Sequence, residues 1–236
     1  SVFPGAEDSD LTWYSGAFGN GVFVLVGQRV SDTEEDTPIA ASSSDGINWT
    51  LVTVPEVLPM KLLAFVASDG SKFVASGNDP THPVSSNLVT STDGITWSSI
   101  PNTKAGNNDL YWGNGVWISM RAYANYSRST DGVTWVEIQI PDSTATIQGG
   151  AGSSPVAYGD GLWVMMIGTN TIAHSTDNAL TWTNTTHYVD GQLTYGIRDI
   201  VYGPAGWIAG SAGYLGGDGY LIVSSDGYNW TYPNSN

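Results

Sequence analysis

The stretch Ser91-Thr92-Asp93-Gly94-Ile95-Thr96-Trp97 decides how this chain is read, because it recurs. Ser43-Ser44-Asp45-Gly46-Ile47-Asn48-Trp49 precedes it, and Ser129-Thr130-Asp131-Gly132-Val133-Thr134-Trp135 follows it. A fourth copy, Ser175-Thr176-Asp177-Asn178-Ala179-Leu180-Thr181-Trp182, is one residue longer. The fifth is Ser224-Ser225-Asp226-Gly227-Tyr228-Asn229-Trp230. Successive tryptophans of the motif are 48, 38, 47 and 48 residues apart. A period of roughly 40–50 residues marks a repeat architecture, in which each unit buries its apolar faces against its neighbours.

A second motif runs in phase with the first. Gly19-Asn20-Gly21-Val22-Phe23-Val24 returns as Gly113-Asn114-Gly115-Val116-Trp117-Ile118 and as Gly159-Asp160-Gly161-Leu162-Trp163-Val164. Looser copies are Asp69-Gly70-Ser71-Lys72-Phe73-Val74 and Gly203-Pro204-Ala205-Gly206-Trp207-Ile208. Asn-Gly and Asp-Gly between apolar runs signal a type I′ hairpin, because both central residues must take positive φ. Each repeat therefore reads as four short strands. In the first they are Thr12 to Phe18, Val22 to Gly27, Ile39 to Ser43 and Trp49 to Val54. Four strands per unit at this period are the signature of a β-propeller blade. The expected fold is all-β: one five-bladed β-propeller domain over residues 1–236, with antiparallel blades near 11–55, 60–101, 108–141, 152–186 and 194–233. The Asp motif is the turn between the third and fourth strands.

The chemistry of the motif is local. Its carboxylate can accept backbone N–H groups across the turn, its Gly supplies positive φ, and its Trp covers strand faces between blades. The five motif Asp residues are thus read as structural. The segment Val2-Phe3-Pro4 echoes the outer-strand endings Val54-Pro55, Ile100-Pro101 and Ile140-Pro141, and Ser1 to Pro4 is expected near the last blade or along its outer edge.

Composition narrows the functional classes. Seven Lys plus Arg against 22 Asp plus Glu give a formal charge of −15. Nucleic acid is excluded as a partner, since its affinity comes from Lys and Arg neutralising phosphates. An anionic membrane is disfavoured on the same ground, and no apolar run is long enough for a membrane-spanning helix. With no Cys there is neither a disulfide scaffold nor a thiolate zinc site. Ser1 in place of Met suggests processing or excision.

Ser-x-Asp-x-Gly-x-Thr-Trp is the Asp box of sialidase-type propellers. The copy from Ser175 to Trp182 has that spacing, with Ala179 in place of Gly; the other four are one residue shorter. Over nearly its whole length the chain resembles the Asp-box β-propeller group. That group spans sialidases and other glycosidases, photosystem assembly factors, and phage and bacterial surface proteins. The resemblance implies that ligands sit over the central axis, at the face opposite the Asp-box turns. In sialidases it would imply six blades, an Arg-Ile-Pro segment, three arginines clamping a carboxylate, and a Tyr nucleophile with a Glu partner. This chain has five repeats, no Arg-Ile-Pro, and four arginines: Arg29, Arg121, Arg128 and Arg198. Arg29, Arg121 and Arg198 fall at strand ends facing the expected ligand side, as a carboxylate clamp or as partners of the many acids.

A glycosidase needs two carboxylates about 5 Å apart or somewhat more. The loop acids Asp32, Glu34, Glu35, Asp36, Asp79, Asp109, Asp190, Asp199 and Asp218 single out no pair. The run from Asp32 to Asp36 lacks the order of a calcium loop, and no His pair has zinc spacing. The reading expects no catalytic residue, no metal and no cofactor.

The loops offer recognition chemistry instead. Connections between second and third strands differ in length: Gln28 to Pro38, Asn78 to Ser86, Arg121 to Tyr126, Thr169 to Thr171, and Ser211 to Gly219. Divergent loops on one face of a repeated scaffold are the pattern of a binding module. Tyr gives rigid amphipathic contact area, or it simply caps the wet end of a blade core. The expected ligand contacts are Arg29, Arg121, Tyr123, Tyr126, Asn170, Tyr188, Asp190, Arg198 and Tyr214. The expected function is a carbohydrate- or receptor-binding module without catalysis, on a phage tail fibre or bacterial surface. Its partner would be a glycan or cell-surface receptor, and its form a homotrimer or part of a larger fibre outside the cell. A sialidase-like glycoside hydrolase and a protein-binding assembly factor are the alternatives.

Overall fold

The computed structural model describes residues 10–32, 35–54, 60–78, 86–100, 109–120, 125–139, 155–167, 171–186, 188–189, 192–193, 197–211 and 219–233. Strands and turns make up these residues, with no helix among them. The first sheet holds β1 (Leu11–Gly19), β2 (Val22–Arg29), β3 (Thr37–Ser43) and β4 (Thr50–Thr53), paired antiparallel in chain order. The second holds β5 (Leu62–Ser68), β6 (Phe73–Asn78), β7 (Ser86–Ser91) and β8 (Ser98–Ile100). The third holds β9 (Asp109–Gly113), β10 (Val116–Met120), β11 (Asn125–Ser129) and β12 (Val136–Gln139). The fourth holds β13 (Val156–Gly159), β14 (Leu162–Ile167), β15 (Thr171–Ser175) and β16 (Thr183–Thr186). A short hairpin, β17 (Tyr188–Val189) with β18 (Gln192–Leu193), leads to the fifth sheet. That sheet has β19 (Ile197–Gly203), β20 (Gly206–Ser211) and β21 (Leu221–Ser224), and Thr231 bridges Val223 where the fourth strand belongs.

The first strand of each sheet lies beside the first strand of the next, from β1 through β5, β9 and β13 to β19. These are the inner strands. The tight hairpins form as the Asn-Gly and Asp-Gly pairs require: Asn20, Asn114 and Asp160 have φ of 46°, 46° and 48°, and the glycines after them 76–78°. Residue alternation along each strand sends one row of side chains to the preceding sheet and the other to the following sheet. Val24 and Val26 of the first sheet thus pack with Leu63, Phe73 and Ala75 of the second. Val74 and Leu88 meet Trp117. Ile118 and Met120 meet Trp163 and Met165. Val164 and Ile172 meet Trp207 and Ile222. Every core cluster is therefore a seam between sheets.

The five repeats form the expected blades in series, and among the described residues the outer face of the first sheet and that of the last do not cover each other. A ring of five would cover both outer faces of the series. Phe18 and Phe23 on the first sheet, and Val201 and Ile208 on the last, are exposed. Val2, Phe3 and Pro4 lie outside the described residues.

Candidate functional site

The motif Asp residues are fully engaged by their own turns. In the second sheet the Ser91 hydroxyl donates to Asp93 Oδ1 at 3.0 Å and accepts the Gly94 N–H at 2.8 Å. Asp93 Oδ1 also accepts the N–H groups of Ile95 and Thr96, at 2.8 and 2.7 Å. The same set repeats around Asp45, Asp131 and Asp226. The N–H of Thr96 is the largest influence holding the Asp93 carboxyl at about 2. Asp45, Asp131 and Asp226 are held still lower, chiefly by the N–H of Asn48, Thr134 and Asn229. In the longer fourth copy, Asn178 and Ala179 both take positive φ, 61° and 58°. There the Thr181 hydroxyl donates to Asp177 and depresses it most.

Antiparallel order puts all five motif turns at one end of the sheets, together with the hairpins between first and second strands. The starts of the inner strands lie at the opposite end. Asp109 opens β9 there, and its Oδ1 accepts the Leu110 N–H at 2.9 Å. Tyr111 Oη donates to Asp109 Oδ2 at 2.5 Å. Asp199 holds the equivalent position in β19, where Oδ1 accepts the Ile200 N–H at 2.8 Å. Burial raises the Asp109 carboxyl to about 7 against these hydrogen bonds, and the charge of Asp199 adds to the rise. Burial, then the neighbouring Asp109 charge, pushes the Tyr111 phenol above its usual range. Tyr111 is thus held as a protonated donor. A Tyr nucleophile needs the reverse, a phenol activated by a base or a lowered pKa. The Asp109 carboxyl changes charge near neutral pH, so it can offer a polar ligand either a donor or an acceptor.

Two of the expected contacts lie at this same end. Arg29 is the last residue of β2 and is exposed. Arg198 is exposed at a register shift between Ile197 and Asp199, a bulge of the kind that re-aims a side chain. Tyr188 lies in β17, paired through its backbone with Leu193. Arg121, Tyr123, Asn170, Asp190 and Tyr214 lie outside the described residues. Tyr126 is a correction. It belongs to β11, not to a loop, and is fully buried, with its hydroxyl between Trp182 and Ala179. An aromatic ring paired opposite Met120 and Ile138 packs into the seam between the third and fourth sheets and cannot meet a ligand.

The sequence reading placed Asp109 and Asp199 among nine loop acids and passed over Tyr111. A repeat alignment carried the signal, since each Asp stands four residues before the glycine that ends its inner strand, Gly113 or Gly203. A second feature, at the motif-turn end, was unforeseen. A cleft of about 200 Å³ is lined by His174, Ser175, Thr176, Thr181, Thr183 and Tyr228. Its polar groups serve the fold. His174 Nε2 lies 2.9 Å from the Gly227 carbonyl, and the ring stacks on Tyr228 with centroids 4.3 Å apart. Burial lowers the His174 pKa against the opposing pull of the Gly227 carbonyl.

No protein-family model matches the chain, and no curated protein matches it. Solved structures do. YCF48 bound to a D1 peptide is 17% identical with a TM-score of 0.66, over 95% of this chain and 67% of that one. YCF48 from Cyanidioschyzon merolae is 16% identical with a TM-score of 0.57, over 97% of this chain and 69% of that one. Trypanosoma rangeli sialidase in complex with sialic acid is 12% identical with a TM-score of 0.56, over 94% of this chain and 47% of that one. At these identities the likeness is one of fold, and the chain has the β-propeller architecture.

Proposed function

We propose that this chain is a recognition module, binding a glycan at the end of the sheets where the inner strands begin, without turning it over. The observation that carries the reading is the Asp109–Tyr111 pair: a carboxyl poised near neutrality and held by the Leu110 N–H, and a phenol kept protonated and held by that carboxyl, with the charge of Asp199 acting on both. Arg29 and Arg198, exposed at the same end, would supply cationic donors to hydroxyls or a carboxylate. Arg121, Tyr123, Asn170, Tyr188, Asp190 and Tyr214 complete the proposed ligand face; Tyr126 does not belong to it. Sites of this kind bind weakly one at a time, so display in several copies raises avidity. A virion fibre or bacterial surface, with the module as a homotrimer, is the setting that fits. A peptide ligand is the second reading, favoured by the likeness to a propeller whose structure holds a peptide.

The test is a glycan array and a peptide array read beside an assay for released sugar, with wild type and Asp109→Asn. The expected result is glycan binding by wild type, weakened at least tenfold in the variant, with no sugar released. Binding confined to peptides would move the assignment to the second reading. Sugar release by wild type, lost in Asp109→Asn, would replace it with a hydrolase.

A further inference from the structure

Position by position, the repeats show which faces of the series are left exposed among the described residues. The aromatic residue after each hairpin points back toward the preceding sheet. Phe73, Trp117, Trp163 and Trp207 are 0–2% exposed, whereas Phe23, in the same position of the first sheet, is 40% exposed. The next residue points forward. Val24, Val74, Ile118 and Val164 are 0–1% exposed, whereas Ile208 of the last sheet is 45% exposed. Val201, opposite Ile208 in the ladder, is 50% exposed.

Two series of glycines report the same thing without reference to side-chain exposure. A Cβ added at the motif Gly94, Gly132 or Gly227 would meet Val24, Val74 or Val164 of the preceding sheet, within 2.5–3.2 Å. At Gly46 it would meet only Phe23 of its own sheet, at 3.7 Å. A Cβ at the inner-strand Gly113 or Gly159 would strike Tyr158 or Tyr202 of the following sheet, at 2.6 and 2.0 Å. At Gly203 it would meet nothing within 4 Å.

Contiguous exposed apolar side chains, here Phe18 with Phe23 and Val201 with Ile208, mark interaction surfaces, and repeat proteins otherwise blunt their terminal units with polar residues. The chain carries both halves of an interface that it already makes four times internally: a forward face like that of Val164 and a backward face like that of Trp207. We infer that a second copy of this chain docks head to tail, with the forward face of its last sheet (Val201, Ile208) covering the backward face of the first (Phe18, Phe23). Such a contact is heterologous. It leaves one face of each kind free, and assembly continues into a ring or an open filament according to the rotation.

The test uses mass in solution across a concentration series. Wild type should rise from 25.0 kDa toward dimer and larger species as concentration increases. Phe23→Glu and Ile208→Glu should each stay monomeric with unchanged circular dichroism, because both positions face solvent within one chain. Mixed in equal amounts they should form a dimer that grows no further, since each brings one intact face. A wild type that remains monomeric throughout would overturn the inference, as would a mixture that stays monomeric. A second measurement stands apart from folding effects. The chain has no Cys, so Phe23→Cys and Ile208→Cys variants, mixed and oxidised, should give a disulfide-linked pair. A double variant that instead links within one chain would show that the ring closes on itself, and would overturn the proposal.

Discussion

The indole N–H of Trp182 donates to the phenolic oxygen of Tyr126 at 2.7 Å, whereas Trp49, Trp97, Trp135 and Trp230 donate to the glycine carbonyl of their own turns. The extra residue in the fourth motif changes the turn, with Asn178 and Ala179 both at positive φ. Tyr126 Oη in turn donates to the Ala179 carbonyl at 2.5 Å, so one hydroxyl of the third sheet organises the turn of the fourth. Tyr126→Phe should cost about 1–3 kcal/mol, because a buried donor and a buried acceptor lose their partner together. Urea unfolding checks the cost, and ligand binding by the folded variant should be unaltered.

The motif carboxylates make an acid-stability prediction. Asp93 sits at about 2 in the fold against 3.8 ordinarily, and the other four motif Asp residues lie lower. A depressed carboxylate contributes stability that is present above its unfolded pKa and is lost as pH falls through the folded one. Melting temperature should therefore drop steeply from about pH 4 downward. Asp131→Ala should cost about 1–3 kcal/mol at neutral pH, since the turn N–H groups lose an ionised acceptor. It should also flatten the acid limb.

Asp109 carries the opposite sign. Its carboxyl is raised from 3.8 to about 7 in the fold. Stability is lost as pH climbs from about 4 to about 7, where the unfolded chain ionises freely and the folded one resists. Asp109→Asn keeps an acceptor for the Leu110 N–H and removes the titration. Unfolding midpoints of wild type and variant should diverge in the variant's favour across that window and run parallel above it. Profiles that stay parallel throughout would refute the assignment.

Gly159 and Gly203 end equivalent inner strands but face different surroundings. A Cβ on Gly159 would lie 2.0 Å from the Tyr202 ring, whereas one on Gly203 would lie in open space. Gly159→Ala should destabilise by about 1–3 kcal/mol or more through overpacking. Gly203→Ala in the monomer should be close to neutral. Thermal melts of the two variants at low protein concentration measure the difference.

Much of this molecule was written into local sequence. The hairpins at Asn20-Gly21, Asn114-Gly115 and Asp160-Gly161 are dictated by residues that tolerate positive φ. The Ser-x-Asp-Gly turns close on hydrogen bonds spanning two or three residues. Strand limits in the first repeat agree with the expected ones to within two residues at either end, because alternation and turn chemistry act over short range. Other features needed the fold. Tyr126 looked like a loop residue because Tyr is amphipathic and its neighbours are polar; burial came from Trp182, 56 residues away. The proton affinity of Asp109 depends on its burial and on Asp199, 90 residues along the chain. Curvature was beyond the repeat count, since five turns of one kind are compatible with any curvature. Curvature comes from how residues such as Gly159 and Tyr202 let adjacent sheets approach. Local turns thus set the number of blades, and packing between blades decided which side chains each seam buries.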